Sequence, residues 1–414
     1  MFPKSCQCGR LSWHFNSRWT PDQARGRCSG LAQRVIANHL EVATFNVPLD
    51  IEARPPGGSE VSETALLRYL EALTFDFEHE GRRISCVLIY AEPDPEREGV
   101  YHPVVADETG FEGIACVDDT ARAALLSLAV YERTRSRKAL SLARRWLTFV
   151  EYMQYPDGDF ANFIRNPSGI RNASGPTSVK GGYWWSVRAL WALARAYRLT
   201  GDRSYLDRFY ACRLDPLPDG KINAVLALSK LELYRSHPVP ELRQSIIEHC
   251  AGVVGTGKQP YFLDHPESEL VHLWGYHQLQ ALASAGHLLN RSELVASCRH
   301  AVNNLIEPAV RARFWTTYPN RGKDGVSAYY VTPMVQGLAD MYRATEAKRY
   351  RQLALSGAAW FHRRNDAHVP MYDPATGRCS DGITAGVASM NAGAESSIEA
   401  GFAELDRRFL LSTL

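Results

Sequence analysis

Little in this chain of 414 residues points to a charged partner or a lipid phase. Its 47 Lys and Arg barely outnumber its 45 Asp and Glu, a formal net charge of +2, so no one-signed field invites nucleic acid or an anionic surface. No apolar run approaches the roughly 18 residues that a membrane helix needs, so no membrane partner is expected. The start, Met1-Phe2-Pro3-Lys4-Ser5-Cys6, lacks a basic stretch followed by an apolar one; no secretory signal is read, and a cytoplasmic location is expected. The nine cysteines are odd in number and contain no C-x-x-C pair, which speaks for reduced thiols rather than a disulfide framework. Cys6, Cys8 and His14 match no zinc spacing, and no metal or cofactor is expected. A Gly-rich phosphate loop, G-x-S-x-G and H-E-x-x-H are all missing. So is the metal-binding aspartate motif of a terpene cyclase.

What the chain has is helices. Residues 1–60 show poor periodicity and end in the breaker Pro55-Pro56-Gly57-Gly58, which sets them apart as an extension from a domain at 61–414. Apolar residues at i, i+3, i+4, i+7 predict helices near 62–76, 118–135, 137–154, 184–200, 202–213, 220–236, 239–253, 270–289, 291–306, 326–344, 346–364 and 394–411. A short strand is expected at 84–90, and residues 93–108 read as a polar loop. Short links such as Arg135-Ser136-Arg137 and Thr200-Gly201-Asp202 alternate with long ones at 155–182, 252–269, 308–325 and 365–393. Six helical hairpins closed in a ring require this alternation, with tight turns at one end and elaborate loops at the other. No 34- or 40-residue period supports an open solenoid instead. The expected fold is all-α, an (α/α)6 toroid of about twelve helices with a small strand-bearing N-terminal extension.

The long links carry the chemistry. Asp107, Glu108, Glu112, Asp118 and Asp119 gather around the glycine turn at Gly113, where adjacent carboxylates can raise one another's pKa to suit a general acid. Asp118 or Asp119 also suits a helix N-cap, and Asp118 can pair with Arg122 one turn on. In Tyr155-Pro156-Asp157-Gly158-Asp159-Phe160-Ala161-Asn162-Phe163 the first acid reads as a turn residue and Asp159 as a substrate contact. Trp184 and Trp185 open a helix at the loop end, followed by Arg188. One tryptophan reads as core and the other as a stacking platform, while Trp191 reads as core. His272, Trp274, Tyr276 and His277 flank a glycine ahead of another helix, and Tyr330 follows Asp324-Gly325. Glu395 falls in the first turn of the last helix, where its charge suits the dipole or faces the mouth opposite Asp118 and Asp119.

Gly113-Ile114-Ala115-Cys116-Val117-Asp118-Asp119-Thr120-Ala121-Arg122-Ala123, Asp157-Gly158-Asp159-Phe160-Ala161-Asn162-Phe163, Arg188-Ala189-Leu190-Trp191-Ala192-Leu193 and Gly393-Ala394-Glu395-Ser396-Ser397-Ile398-Glu399-Ala400 resemble six-hairpin (α/α)6-toroid proteins of carbohydrate metabolism, some of them glycosyltransferase-associated. The resemblance spans roughly residues 85–411. It implies a carbohydrate substrate and a glycoside hydrolase with an inverting pair of carboxylates. Ring closure, which makes the first and sixth hairpins neighbours, points to Asp118 or Asp119 together with Glu395 or Asp159 as that pair. Glu112, Trp184, Trp185, Arg188, His272, Trp274, Tyr276, His277 and Tyr330 are the expected substrate contacts. A sugar epimerase or lyase using His272, Tyr276 and His277 as proton shuttles, or a non-catalytic glycan-binding toroid, are the alternatives.

Overall fold

A computed structural model describes residues 63–97, 99–103, 112–214, 217–255 and 257–413. The expectations for residues 1–60, for Cys6, Cys8 and His14, and for Asp107 and Glu108 lie outside the described residues.

Helix α1 (Arg68–Ala72) continues a 3-10 turn at Glu63–Leu67. The next hairpin shows why helices pair. Helix α2 (Val117–Thr134) starts where the Cys116 sulfur accepts the Asp119 N–H, and stops at left-handed Arg135. Ser136 then caps α3 (Arg137–Met153) by accepting the Ala139 N–H, so two residues suffice to reverse the chain. The pattern repeats with α4 (Tyr183–Thr200) and α5 (Arg203–Ala211), α6 (Gly220–Ser236) and α7 (Pro240–Val254), and α8 (Gln278–Leu288) and α9 (Ser292–Ala301). A π turn at Val302–Ile306 prolongs α9 into α10 (Glu307–Arg311); α11 (Ala328–Thr345) and α12 (Lys348–Ala358) follow, and α13 (Ala394–Ser412) ends the chain.

The two members of a hairpin differ in how they are buried. Helix α3 buries Ala139, Leu142, Ala143, Trp146, Leu147, Val150 and Met153, together with Phe149, in a single stripe at i, i+3, i+4, i+7. Helix α2 buries residues on every side, including Asp119, Thr120 and Arg122. The first belongs to an outer layer and the second to an inner one. Helices α2, α4, α6, α8, α11 and α13 pack each on the next, and α13 returns to α2, so the inner layer is a closed ring. Glycines permit the close approach: a Cβ on Gly401 of α13 would meet Leu126 of α2 at 2.5 Å. The sixth outer position is filled from the start of the described chain, where the 3-10 turn and α1 lie on α13. The fold is the (α/α)6 toroid. Among the described residues no helix is long and apolar enough to cross a membrane.

Two boundaries differ from the periodicity. Thr74–Asp76 leave the predicted first helix for strand β1 (Thr74–His79), which pairs antiparallel with β2 (Arg82–Val87) through a turn at Glu80-Gly81. Both turn residues have positive φ, the geometry that matches strand twist. The helix predicted from 270 begins only at Gln278, because Val271–His272 pair with Thr317–Tyr318. Short pairings of this kind occupy the long-link end, including Ala115–Cys116 with Phe163–Ile164 and Val326–Ser327 with Gly382–Thr384. They brace the loops that frame the mouth of the ring.

Candidate active site at the ring mouth

The seam where α13 meets α2 gathers the acids. Asp118 and Asp119 occupy the first turn of α2, whose entry is fixed by Asn162: its carbonyl accepts the Val117 N–H, and its side-chain oxygen accepts the Asp118 N–H. Gly113 is obligatory before them, because a Cβ there would stand 2.1 Å from the Ile164 carbonyl. Gly393 does the same before Glu395, with the Ile89 carbonyl 2.6 Å from its would-be Cβ.

Arg122, buried one turn into α2, is the hub. It meets Asp118 at 3.2 Å, Asp119 at 2.6 Å, Glu395 at 3.1 Å and Glu399 at 2.8 Å, and its guanidinium lies 4.3 Å from the centre of the Tyr329 ring. Asp119 and Glu395 bind the same nitrogen, Nη2, so those two carboxylate oxygens are separated by at most the sum of the two distances, 5.7 Å. One cation cannot neutralise four carboxylates. Burial pushes Asp119 up to about 7, Arg122 opposes this, and Glu395 and Asp118 add to it. Glu399 also rises to about 7, by burial against the pull of Arg122. Asp381 is pushed by burial to about 6; it accepts the Gly393 N–H at 2.5 Å and so caps the helix that carries Glu395. Glu395 itself is 30% exposed, the acid of the Arg122 cluster most open to solvent.

Beside the acids lies an aromatic wall. The Trp184 and Trp274 rings meet edge-on at 5.6 Å, Trp274 packs on Tyr329 at 4.6 Å, and the Trp274 indole N–H points to Glu395 at 3.4 Å. Arg188 is wholly buried behind this wall. It pairs with Asp118 at 3.3 Å and lies 5.5 and 5.2 Å from the Trp184 and Tyr329 rings, and none of its guanidinium nitrogens makes a hydrogen bond. Burial lowers its pKa to about 10. Lys221, from the start of α6, pairs with Asp264 at 3.2 Å and stands 6.0 Å over Trp184.

The histidines are held neutral. Burial lowers His272 to about 4, helped by Lys221, and its Nε2 stands 3.4 Å from the Tyr330 hydroxyl. His277 is buried and driven far below its ordinary range; its Nδ1 lies 2.8 Å from Gln280 and its Nε2 3.4 Å from the Tyr329 hydroxyl. Burial raises Tyr330 to about 12.

Four expected site residues are placed elsewhere. Trp185 is buried, and its indole N–H donates to the Phe160 carbonyl at 3.0 Å. Tyr276 is buried too, its hydroxyl donating to the Phe262 carbonyl at 2.9 Å and accepting the Phe262 N–H at 3.1 Å. Glu112 receives the Thr177 N–H at 3.0 Å and the Thr177 hydroxyl at 2.5 Å, and fastens the loop after α3. Asp159 sits under Gly181, in reach of Cys212 and Lys180 rather than the hub acids. Trp185 and Tyr276 are tied by these bonds into the packed interior, and Glu112 into the loop after α3. Conversely, Glu399, Asp381, Tyr329, Lys221 and Asp264 join the site without having been singled out. The i, i+4 spacing of Glu395 and Glu399 was the one local sign. Among the described residues, no group of three or more His, Cys, Asp or Glu is arranged to hold a metal ion.

No protein-family model matches the chain, and comparison with curated proteins returns no match. Solved structures do resemble it. A D-mannose isomerase shares 10% identity, with a TM-score of 0.60 over 87% of this chain and 100% of that one. A family 76 glycoside hydrolase from a bovine Bacteroides thetaiotaomicron strain shares 12%, with a TM-score of 0.58 over 85% and 77%. The cellobiose 2-epimerase of Spirochaeta thermophila DSM 6192 shares 14%, with a TM-score of 0.55 over 78% and 92%. At such identities the likeness extends to the fold alone, and the fold is the six-hairpin toroid that the helix pairing shows.

Proposed function

We propose that the protein is a carbohydrate-active enzyme that hydrolyses a glycosidic bond at the ring mouth. The observation that carries this reading is the division of labour among acids on one arginine. Asp119 holds its proton near neutral pH and is the general acid. Glu395, more exposed and paired with Arg122 and Trp274, is the partner carboxylate. Asp118 orients Arg122 and Arg188. Trp184 and Trp274 offer rings on which an apolar sugar face stacks. Resemblance to hydrolases, isomerases and epimerases of sugars supports the substrate class without choosing the reaction. One oxygen of Asp119 and one of Glu395 lie at most 5.7 Å apart, short of the roughly 6.5–9.5 Å between the carboxyl groups of inverting enzymes, which favours retention over the inversion expected from sequence. Glu395 then attacks the anomeric carbon while Asp119 protonates the leaving oxygen; water, deprotonated by Asp119, releases the sugar.

Screening the full chain against a glycan panel, with product anomers followed by NMR, tests this. Asp119→Asn and Glu395→Gln should each lower turnover about 10²–10⁴-fold. Undiminished hydrolysis in both variants would refute the assignment.

A second reading has its own support. His272 is a neutral base beside Tyr330, the arrangement that proton abstraction next to a sugar carbonyl needs. Carbon-bound deuterium acquired by a reducing sugar in D2O, abolished by His272→Gln and not by Asp119→Asn, would establish this epimerase reading over the hydrolase.

A further inference from the structure

Tyr329, in the first turn of α11, is wholly buried, and its side chain reaches both halves of the acid site. The Arg122 guanidinium lies 4.3 Å from the ring centre and that of Arg188 5.2 Å. Trp274 meets the ring edge-on at 4.6 Å, and the Gly275 N–H donates to the Tyr329 carbonyl at 3.1 Å. The turn at Gly275 is fitted to the phenol: its φ is +65°, and a Cβ there would stand 3.2 Å from the ring and 3.3 Å from the hydroxyl. The hydroxyl stands 3.4 Å from Nε2 of His277, whose Nδ1 faces the Gln280 side-chain oxygen at 2.8 Å. Neutral His277 therefore carries its proton on Nδ1, and Nε2 accepts from the phenol.

We infer that Tyr329 is a positioning residue of the acid pair: its ring backs the guanidinium that spans Asp119 and Glu395, and it seats the turn that aims Trp274 at Glu395. The inference rests on the reading of Asp119 and Glu395 as the working acids. Arg122 takes Asp118 and Asp119 from its own helix and Glu395 and Glu399 from α13. The ring on α11 adds a third element, and α11 is itself fastened to α13 where the Thr332 hydroxyl donates to the Glu399 carbonyl at 2.9 Å. The negative face of an aromatic ring attracts a cation, most strongly where water is excluded. Without that face the guanidinium is free to tilt off the Nη2 bridge, which holds Asp119 at 2.6 Å and Glu395 at 3.1 Å. Being buried, Tyr329 acts through Arg122 and Trp274 and not on the sugar.

The test compares the full chain with Tyr329→Phe, which keeps the ring and drops the link to His277, and with Tyr329→Leu, which removes the ring. Carboxyl groups labelled with ¹³C are titrated by NMR, with Asp119→Asn and Glu395→Gln assigning the signals. The charged and titratable groups facing Asp119 are Cys116, Asp118 and Arg122 at the start of α2, Glu395 on α13 and Tyr90 after β2, and the variants alter none of them. Arg122 holds the Asp119 pKa down, so Tyr329→Leu should raise it by about half a unit or more, while Tyr329→Phe leaves it in place. On a hydrolysed glycan, kcat of Tyr329→Leu should fall about 10–10²-fold at a KM changed less than about twofold. Should Tyr329→Leu not fold, trifluorophenylalanine at position 329, which keeps the ring and cancels its negative face, is compared with Tyr329→Phe. Rotation of the Arg122 guanidinium about its Cζ–Nε bond, read by ¹⁵N exchange spectroscopy, should then be faster. Unchanged rotation there, or an unchanged or lowered Asp119 titration in Tyr329→Leu, overturns the inference. Equal shifts in Tyr329→Phe and Tyr329→Leu overturn it too, by assigning the effect to the hydroxyl and His277. The expected shift in a protein that hydrolyses no glycan upholds Tyr329 and removes the hydrolase reading instead.

Discussion

At the scale of single residues, the cost of the site is written in its titration. Asp119 and Glu399 are raised in the folded protein from ordinary carboxylate values to about 7. Between those limits the folded state binds more protons than the unfolded one, so their contribution to stability is complete below about pH 4 and is lost as pH rises toward 7. Melting temperatures recorded from pH 5 to 8 should fall with pH through this effect, and Asp119→Asn should flatten the slope. An equal slope in the variant would mean that the proton sits elsewhere. The tryptophans separate in the same way. Trp184→Ala removes a wall of the mouth and should weaken glycan affinity about 5–30-fold, the factor that 1–2 kcal/mol represents. Trp185→Phe removes the hydrogen bond to Phe160 and part of a buried ring, and should cost about 1–3 kcal/mol of stability while leaving affinity unchanged. Calorimetric titration and urea unfolding of the two variants read both outcomes. Adjacent residues of one type thus have opposite duties, because a helical step of one residue turns a side chain by about 100°.

At the scale of elements, the telling contact is between α13 and α2. Gly401 admits Leu126 at a distance where a methyl group already crowds it. Gly401→Val should therefore cost about 1–3 kcal/mol through overpacking, seen as a lower denaturation midpoint at unchanged m-value. Because the same seam carries Glu395 and Asp119, activity should fall along with it. The outer helices were legible from their single apolar stripe, as in α3. The inner helices were legible as helices, but the features that matter most in them, a buried arginine and four carboxylates, have no periodic signature. The start of α8 was misjudged because Val271–His272 extend the apolar pattern while pairing with a strand more than forty residues further on. Local pattern carries no information about such a partner.

At the scale of the whole molecule, the ring closes only because the two ends of the described chain meet. The Tyr69 hydroxyl donates to the Ala392 carbonyl at 2.8 Å in a buried setting, tying α1 to the entry of α13. Tyr69→Phe leaves that carbonyl without its donor and should cost about 1–3 kcal/mol in chemical denaturation. Removing residues 1–73 should do far more, since α13 would lose its outer partner and its apolar face would be left open to water. The truncated chain is expected to unfold without a single sharp transition, monitored by circular dichroism; a cooperative melt close to that of the full chain would show that the sixth hairpin is dispensable.

The sequence by itself determined the alternation of tight and elaborate links, and with it the toroid and the end of the ring at which the acids gather. Those properties follow from local rules, helical period and turn-forming residues, that act over a few positions. Asp118, Asp119 and Glu395 could be picked out because adjacent acids after a glycine are conspicuous in one dimension. Only the tertiary structure decided that Arg122 binds all three together with Glu399, that Arg188 is sealed behind Trp184 and Tyr329, and that Glu112, Trp185 and Tyr276 are bonded into loop and core. Arg122 and Glu395 are 273 positions apart, and what brings them within 3.1 Å is the closure of the ring. The pKa of a carboxyl group depends on the burial and charges that closure creates, a property of the assembled site that no single segment contains.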